Sequence, residues 1–76
     1  MQVEILTPDK TLYSGEAEVV TLPGIKGSFQ ILENHAPLIA NLGKGTVNIK
    51  SGNQNESFDV KAGLVEVLKN KVVVLV

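Results

Sequence analysis

The chain has no cysteine, no arginine and no tryptophan, and a single histidine, His35. Without cysteine there is neither a disulfide framework nor thiolate metal ligation. With one histidine besides, the residue set argues against a protein-only zinc site. The lack of arginine removes the usual bidentate reader of phosphate or guanine. Seven lysines against eight acids give a net charge of −1. No basic stripe is available to displace counterions, so the composition speaks against nucleic acid as a partner. Long apolar runs are also missing. The longest, Val72–Val76, is five residues, far short of the roughly 20 that a membrane-spanning helix needs. Met1 leads straight into alternating sequence, and no basic segment followed by an apolar stretch suggests a signal peptide. These absences together predict a soluble cytoplasmic domain with no membrane insertion, metal or cofactor.

What remains is a short chain rich in β-branched residues. Seventy-six residues make one domain, residues 1–76, burying roughly 60% of its unfolded surface. Its stability must come from packed apolar area, supplemented by any partner that binds the folded state.

Alternation dominates. In "QVEILT", Val3 and Ile5 oppose Gln2 and Glu4; in "GTVNIKS", Val47 and Ile49 oppose Thr46, Asn48 and Lys50; "SFDVK" does the same with Phe58 and Val60. Period-two patterning with β-branched residues reads as half-buried antiparallel strands. Gly, Asn and Pro clusters fall between these runs, at Pro23-Gly24, Lys26-Gly27, Ser51-Gly52-Asn53 and Lys69-Asn70-Lys71, and suit turns. The pattern predicts an all-β fold, a flattened sandwich or barrel of about ten short strands. Strands are expected near residues 2–7, 11–14, 16–22, 28–32, 38–42, 45–50, 55–61, 64–69 and 71–76. The expected core is Val3, Ile5, Val19, Phe29, Ile31, Val47, Ile49, Phe58, Val60, Val65, Val67 and Val73. Ala62-Gly63 interrupts a strand and predicts a bulge or a close backbone approach. The five apolar residues of "KVVVLV" cannot share one sheet face, so either both faces of that strand are covered, the favoured expectation, or the chain is held against another surface.

The chemistry-bearing residues are sparse. Ser28 and Glu33 flank His35 in sequence, but no nucleophile elbow or Gly-rich oxyanion turn accompanies them, so catalysis is not expected. Glu16 and Glu18 would project from one strand face, a solvated surface rather than an acid–base pair. The loop "PGIKGSF" lacks the phosphate-loop spacing and has no helix after it. Gly24 and Gly27 are expected at positive φ, carrying Ile25 and Lys26 on a projecting tip. An isoleucine at a tip costs solvation unless something covers it, which points to a partner. Asn34 is expected to turn the chain in a left-handed conformation, and Pro37 stiffens the segment by fixing its own φ. His35 then stands on a rigid corner beside small and apolar residues, a plausible docking spot.

The segment "LPGIKGSFQILENHAPLIANLGKGTVNI" resembles the G-x-x-G-x-x-x-[IVL]-x-x-x-H-A-P-[LM] pattern of the epsilon subunit of F-type ATP synthases, called delta in mitochondria. The opening "VEILTPDKTLYSGEAEVVTLPG" and the closing "AGLVEVLKNKVVVLV" are similar to that family's ends, so the resemblance covers essentially the whole chain. Two departures stand out: Glu33-Asn34 replaces a common Pro-Gly before "HAP", and Ala62-Gly63 replaces a common Gly-Gly.

The resemblance implies a non-catalytic rotor subunit of a proton- or sodium-translocating ATP synthase. Such a subunit docks gamma to the c-ring, helps transmit torque, and sits peripherally on the cytoplasmic face of a bacterial membrane. It places Thr7, His35, Ala36, Leu38 and Ala40 toward the gamma subunit, and Ile25, Lys26, Gly27 and Ser28 toward the c-ring. Full-length members continue into two antiparallel helices that can inhibit hydrolysis or bind ATP. This chain ends at Val76, so neither inhibition nor ATP binding is expected of it. A competing expectation is a lipoyl- or biotinyl-carrier domain modified on Lys26 or Lys71, although neither lysine has the flanking residues such domains show. A small enzyme centred on His35 is the third possibility.

Overall fold

Nine strands form in the computed structural model, which describes all 76 residues: β1 (Gln2–Leu6), β2 (Thr11–Glu16), β3 (Val19–Gly24), β4 (Gly27–Leu32), β5 (Leu38–Leu42), β6 (Gly45–Ser51), β7 (Gln54–Val60), β8 (Gly63–Leu68) and β9 (Lys71–Leu75). There is no helix, and hence none long and apolar enough to cross a membrane. The strands share one curled sheet in the order β2-β1-β9-β8-β5-β3-β6-β7, with β4 also paired to β3. All neighbours are antiparallel except β1 and β9, which run parallel. The curl brings β2-β1-β9-β8-β5 over β4-β3-β6-β7. The expected all-β sandwich or barrel is therefore what forms, with nine strands rather than ten.

The core is what alternation demands. Val3, Ile5, Val65, Val67, Val72 and Val74 face inward from one layer, and Val20, Leu22, Ile31, Val47, Ile49 and Val60 from the other. No polar or charged residue is among the 15 buried ones. Two expected core positions are off by one. Val20, not Val19, is buried, and Val72 and Val74, not Val73, point inward. In a run of valines composition cannot choose the face, and a one-residue slip exchanges the two sides. The β8–β9 hairpin decides it, because pairing Leu68 with Lys71 sets Val67 against Val72 and Val65 against Val74. Phe29 and Phe58 are half-buried and pack against the core rather than within it.

Strand β9 has β1 on one side and β8 on the other, so its backbone is satisfied. Only its inner face is fully covered. Leu75 is 46% exposed and Val73 half-buried, which corrects the expectation of burial on both faces. A second correction concerns Glu16 and Glu18. Glu16 ends β2, whereas Glu18 lies between β2 and β3 and accepts the Gly52 amide at 2.6 Å. They belong to no common strand because Ala17, 3% exposed, carries the chain from one layer to the other.

Three glycines, Gly24, Gly45 and Gly63, are required for space rather than for φ. A Cβ on Gly63 would stand 2.6 Å from the Leu75 carbonyl oxygen, so the interruption at Ala62-Gly63 is a close backbone approach. A Cβ on Gly24 would stand 2.7 Å from the Gly27 oxygen and 2.8 Å from Phe29. Of the pair expected at positive φ, only Gly27 has it, at 128°.

Candidate functional site

The β3–β4 hairpin turns through Ile25 and Lys26, since Gly24 pairs with Gly27. Its tip is tied to the end of β5: the Ile25 amide donates to Asn41 at 3.3 Å, and the Gly43 amide to Pro23 at 2.8 Å. Between hairpin and strand lies a groove of about 470 Å³, with Gly24–Gly27 and Phe29 on one bank and Leu38, Ala40 and Asn41 on the other. Ile25 rises from its rim 68% exposed, more than any other large apolar residue in the chain. Lys26 beside it is exposed and makes no salt bridge. The groove thus has a largely apolar floor with one free ammonium at its rim.

His35 stands at the other end of β5, on the corner that joins it to β4. Asn34 has φ 59°, the left-handed turn expected of it. The His35 ring donates from Nδ1 to the Ala36 carbonyl at 2.6 Å, which orients the half-buried imidazole. Neither Ser28 nor Glu33 is hydrogen-bonded to that ring. Nothing resembling a nucleophile–base pair is assembled there, and no three potential metal ligands gather anywhere in the chain.

The structure thus brings together residues that the family resemblance implies belong to separate surfaces. Leu38 and Ala40 line the same groove as Ile25, Lys26 and Gly27, with His35 and Ala36 just beyond it. Ser28 lies near the start of β4 opposite Pro23 and is exposed. Thr7 stands apart. Through the ladders Val3–Val72–Val67–Leu38 and Leu6–Leu75–Leu64–Asn41, β1 and β5 run in the same direction. Thr7 therefore lies at the opposite end of the layer from His35, with β9 and β8 between β1 and β5. Its hydroxyl is occupied locally, accepting from the Asp9 and Lys10 amides at 3.2 and 3.0 Å and holding the β1–β2 turn.

Three residues at the site escape the sequence reading. Phe29, expected in the core, instead forms part of the groove. Glu33 and Asn70 make a polar cluster behind the corner: Glu33 accepts from the Met1 ammonium and, at 3.1 Å, from the Asn70 side chain. Those two bonds, in that order, lower the Glu33 carboxyl from its ordinary value, against an opposing effect of burial.

The whole length, residues 1–76, matches the profile described as "ATP synthase, Delta/Epsilon chain, beta-sandwich domain". The chain belongs to the ATP synthase delta/epsilon family. Among its relatives, the epsilon chain of Leptospira borgpetersenii is 41% identical over 99% of this chain and 59% of its own length. That of Chlorobium limicola is 41% identical over 97% of this chain and 85% of its own length. The chain thus spans less than two thirds of the first of these and most of the second. In solved structures, a chain in the central stalk and c-ring of the Tetrahymena thermophila mitochondrial ATP synthase matches with a TM-score of 0.83 at 20% identity. That match covers 97% of this chain and 60% of the other. A chain of the Euglena gracilis mitochondrial ATP synthase matches with a TM-score of 0.89 at 14% identity, covering 96% and 48%. At such identities the likeness is one of fold.

The family assignment leaves the carrier-domain alternative without support. Lys71 is the first residue of β9 rather than a hairpin tip, and its ammonium lies 3.4 Å from Glu4. Lys26 does sit at a tip, but in a sequence that matches this family throughout.

Proposed function

We propose that this β-domain is a non-catalytic docking module of an ATP synthase rotor, joining the gamma subunit to the c-ring so that torque passes between them. The observation that carries the reading is the groove between β3–β4 and β5, where the exposed tip residues Ile25 and Lys26 meet Leu38 and Ala40. In this reading gamma lies against His35, Ala36, Leu38 and Ala40, with Thr7 a separate contact at the far end of β1. The c-ring lies against Ile25, Lys26, Gly27 and Ser28. One continuous surface then serves two partners, with the groove as their border. The module works at the cytoplasmic face of a bacterial membrane, held there by its partners.

The test uses the purified chain with the native gamma subunit and with the isolated c-ring, by calorimetry and by co-sedimentation. Binding to gamma, together with gamma-dependent retention on the ring, is the expected result. Added to the catalytic complex, the chain leaves ATP hydrolysis unchanged, and titration with ATP gives no heat of binding. Failure to bind gamma sinks the reading, and saturable ATP binding overturns the expectation that this chain takes no nucleotide.

A further inference from the structure

We propose that Asn70, at the tip of the β8–β9 hairpin, is a positioning residue for the His35 corner. Asn34 and Asn70 are 36 positions apart, yet the Asn34 amide donates to the Asn70 side-chain oxygen at 2.8 Å. The Asn70 side-chain nitrogen in turn donates to Glu33 at 3.1 Å, and its backbone oxygen accepts from Gln2 at 3.1 Å. One residue therefore ties together the start of β1, the β8–β9 turn and the β4–β5 corner.

The corner has little else to hold its backbone. Of the seven backbone–backbone hydrogen bonds outside the strand ladders, none involves residues 33–37. Pro37 has no amide to donate. Asn34 bears the cost of a left-handed conformation, so its amide needs a partner if this turn is to be the single one populated. Asn70 supplies that partner from its side chain.

Local geometry favours a different residue at position 70. Leu68 pairs with Lys71, leaving a two-residue loop in which Lys69 has φ 51° and Asn70 φ 60°. This is the type I′ hairpin turn, whose second loop position favours glycine. Asparagine there is second best for the turn and is the one that can reach the corner. The residue thus satisfies a demand that the hairpin alone does not make. This assignment rests on the proposal that the corner docks gamma, but the clasp itself is measurable without gamma.

The experiment compares the wild-type chain with Asn70→Gly and with Asn70→Asp combined with Glu33→Gln. Glycine suits the turn and removes both side-chain bonds, whereas aspartate keeps the acceptor for the Asn34 amide. Three quantities are read: melting temperature, exchange of the Asn34 amide, and the His35 imidazole resonances. Asn70→Gly is expected to melt close to wild type while Asn34 exchanges about tenfold faster, the scale of one net hydrogen bond. The His35 signals should shift or broaden. Asn70→Asp combined with Glu33→Gln, which removes the carboxylate that would otherwise repel the new one, should recover most of the Asn34 protection. Unchanged Asn34 exchange and His35 signals in Asn70→Gly overturn the clasp, whatever gamma does. If the corner loosens but gamma binds as tightly as before, the clasp stands and the docking assignment of the corner fails.

Discussion

Tyr13 on β2 and Phe58 on β7 meet edge to face, with ring centroids 5.9 Å apart and planes inclined at 65°. Those strands are the two ends of the sheet path, so this contact closes the curl where no hydrogen-bond ladder does. The offset of ring edge and face is the arrangement aromatic quadrupoles prefer. The contact adds to the apolar core in keeping the two layers together. Phe58→Ala should cost about 2 kcal/mol, below the full core value because the ring is half-buried. Urea unfolding curves of the two proteins give the difference. A change within experimental error would mean that the valine core alone closes the fold.

Gly24 sets the shape of the groove. Its missing Cβ leaves room for the Gly27 carbonyl and the Phe29 ring at distances no side chain tolerates. Gly24→Ala should destabilise by about 1–3 kcal/mol, the range for forcing an atom into packed surroundings. It should also displace Phe29 and the Ile25–Lys26 tip. Thermal melts measure the first effect, and chemical-shift changes confined to the hairpin and β5 report the second. Normal stability and unchanged shifts would show that the hairpin opens freely.

Glu33 gives the corner a dependence on acid. Its carboxyl titrates lower in the folded chain than in the unfolded one because the Met1 ammonium and the Asn70 amide donate to the charged form. A lowered folded pKa contributes stability that is fully present above the unfolded glutamate range. That stability is lost as the pH falls through the folded value. Wild type should therefore exceed Glu33→Gln in stability at neutral pH, and the two should converge in acid. Melting temperatures across that range check it, and a gap that persists at the acid end would assign the effect to shape rather than charge.

Most of the fold was legible because alternation and turn chemistry agree. Val3 and Ile5, Val47 and Ile49, and Asn34 in its left-handed turn all stand where the pattern placed them. The errors of facing lie where neighbouring residues are chemically equivalent, as at Val19-Val20 and Val72-Val73-Val74, because only partner strands choose the face. Glu16 and Glu18 misled for a related reason: spacing of two means one face only if the strand continues, and Ala17 ends it. Of the candidate site, two local shapes were legible, a hairpin tip with an exposed isoleucine and a corner turned by Asn34. That Ile25 shares a groove with Leu38 and Ala40, and that Asn70 reaches Asn34, depends on contacts between residues far apart in sequence. No local pattern encodes these.

The two proposed faces make opposite predictions for two substitutions. His35 and its small neighbours allow close approach of a partner, so removing the imidazole acts through packing. His35→Ala should weaken gamma binding by about 1–2 kcal/mol, the scale of one well-packed interface residue, with little dependence on salt. Lys26 is an exposed charge on the hairpin tip, and any attraction it has to the ring is screened by ions. Lys26→Ala should leave gamma affinity unchanged while weakening attachment to the c-ring, more at low salt than at high. Gamma affinity and ring retention for wild type and both variants, each at two salt concentrations, separate the faces. Loss of gamma binding in Lys26→Ala, with His35→Ala unaffected, would show that the tip docks gamma and the corner does not.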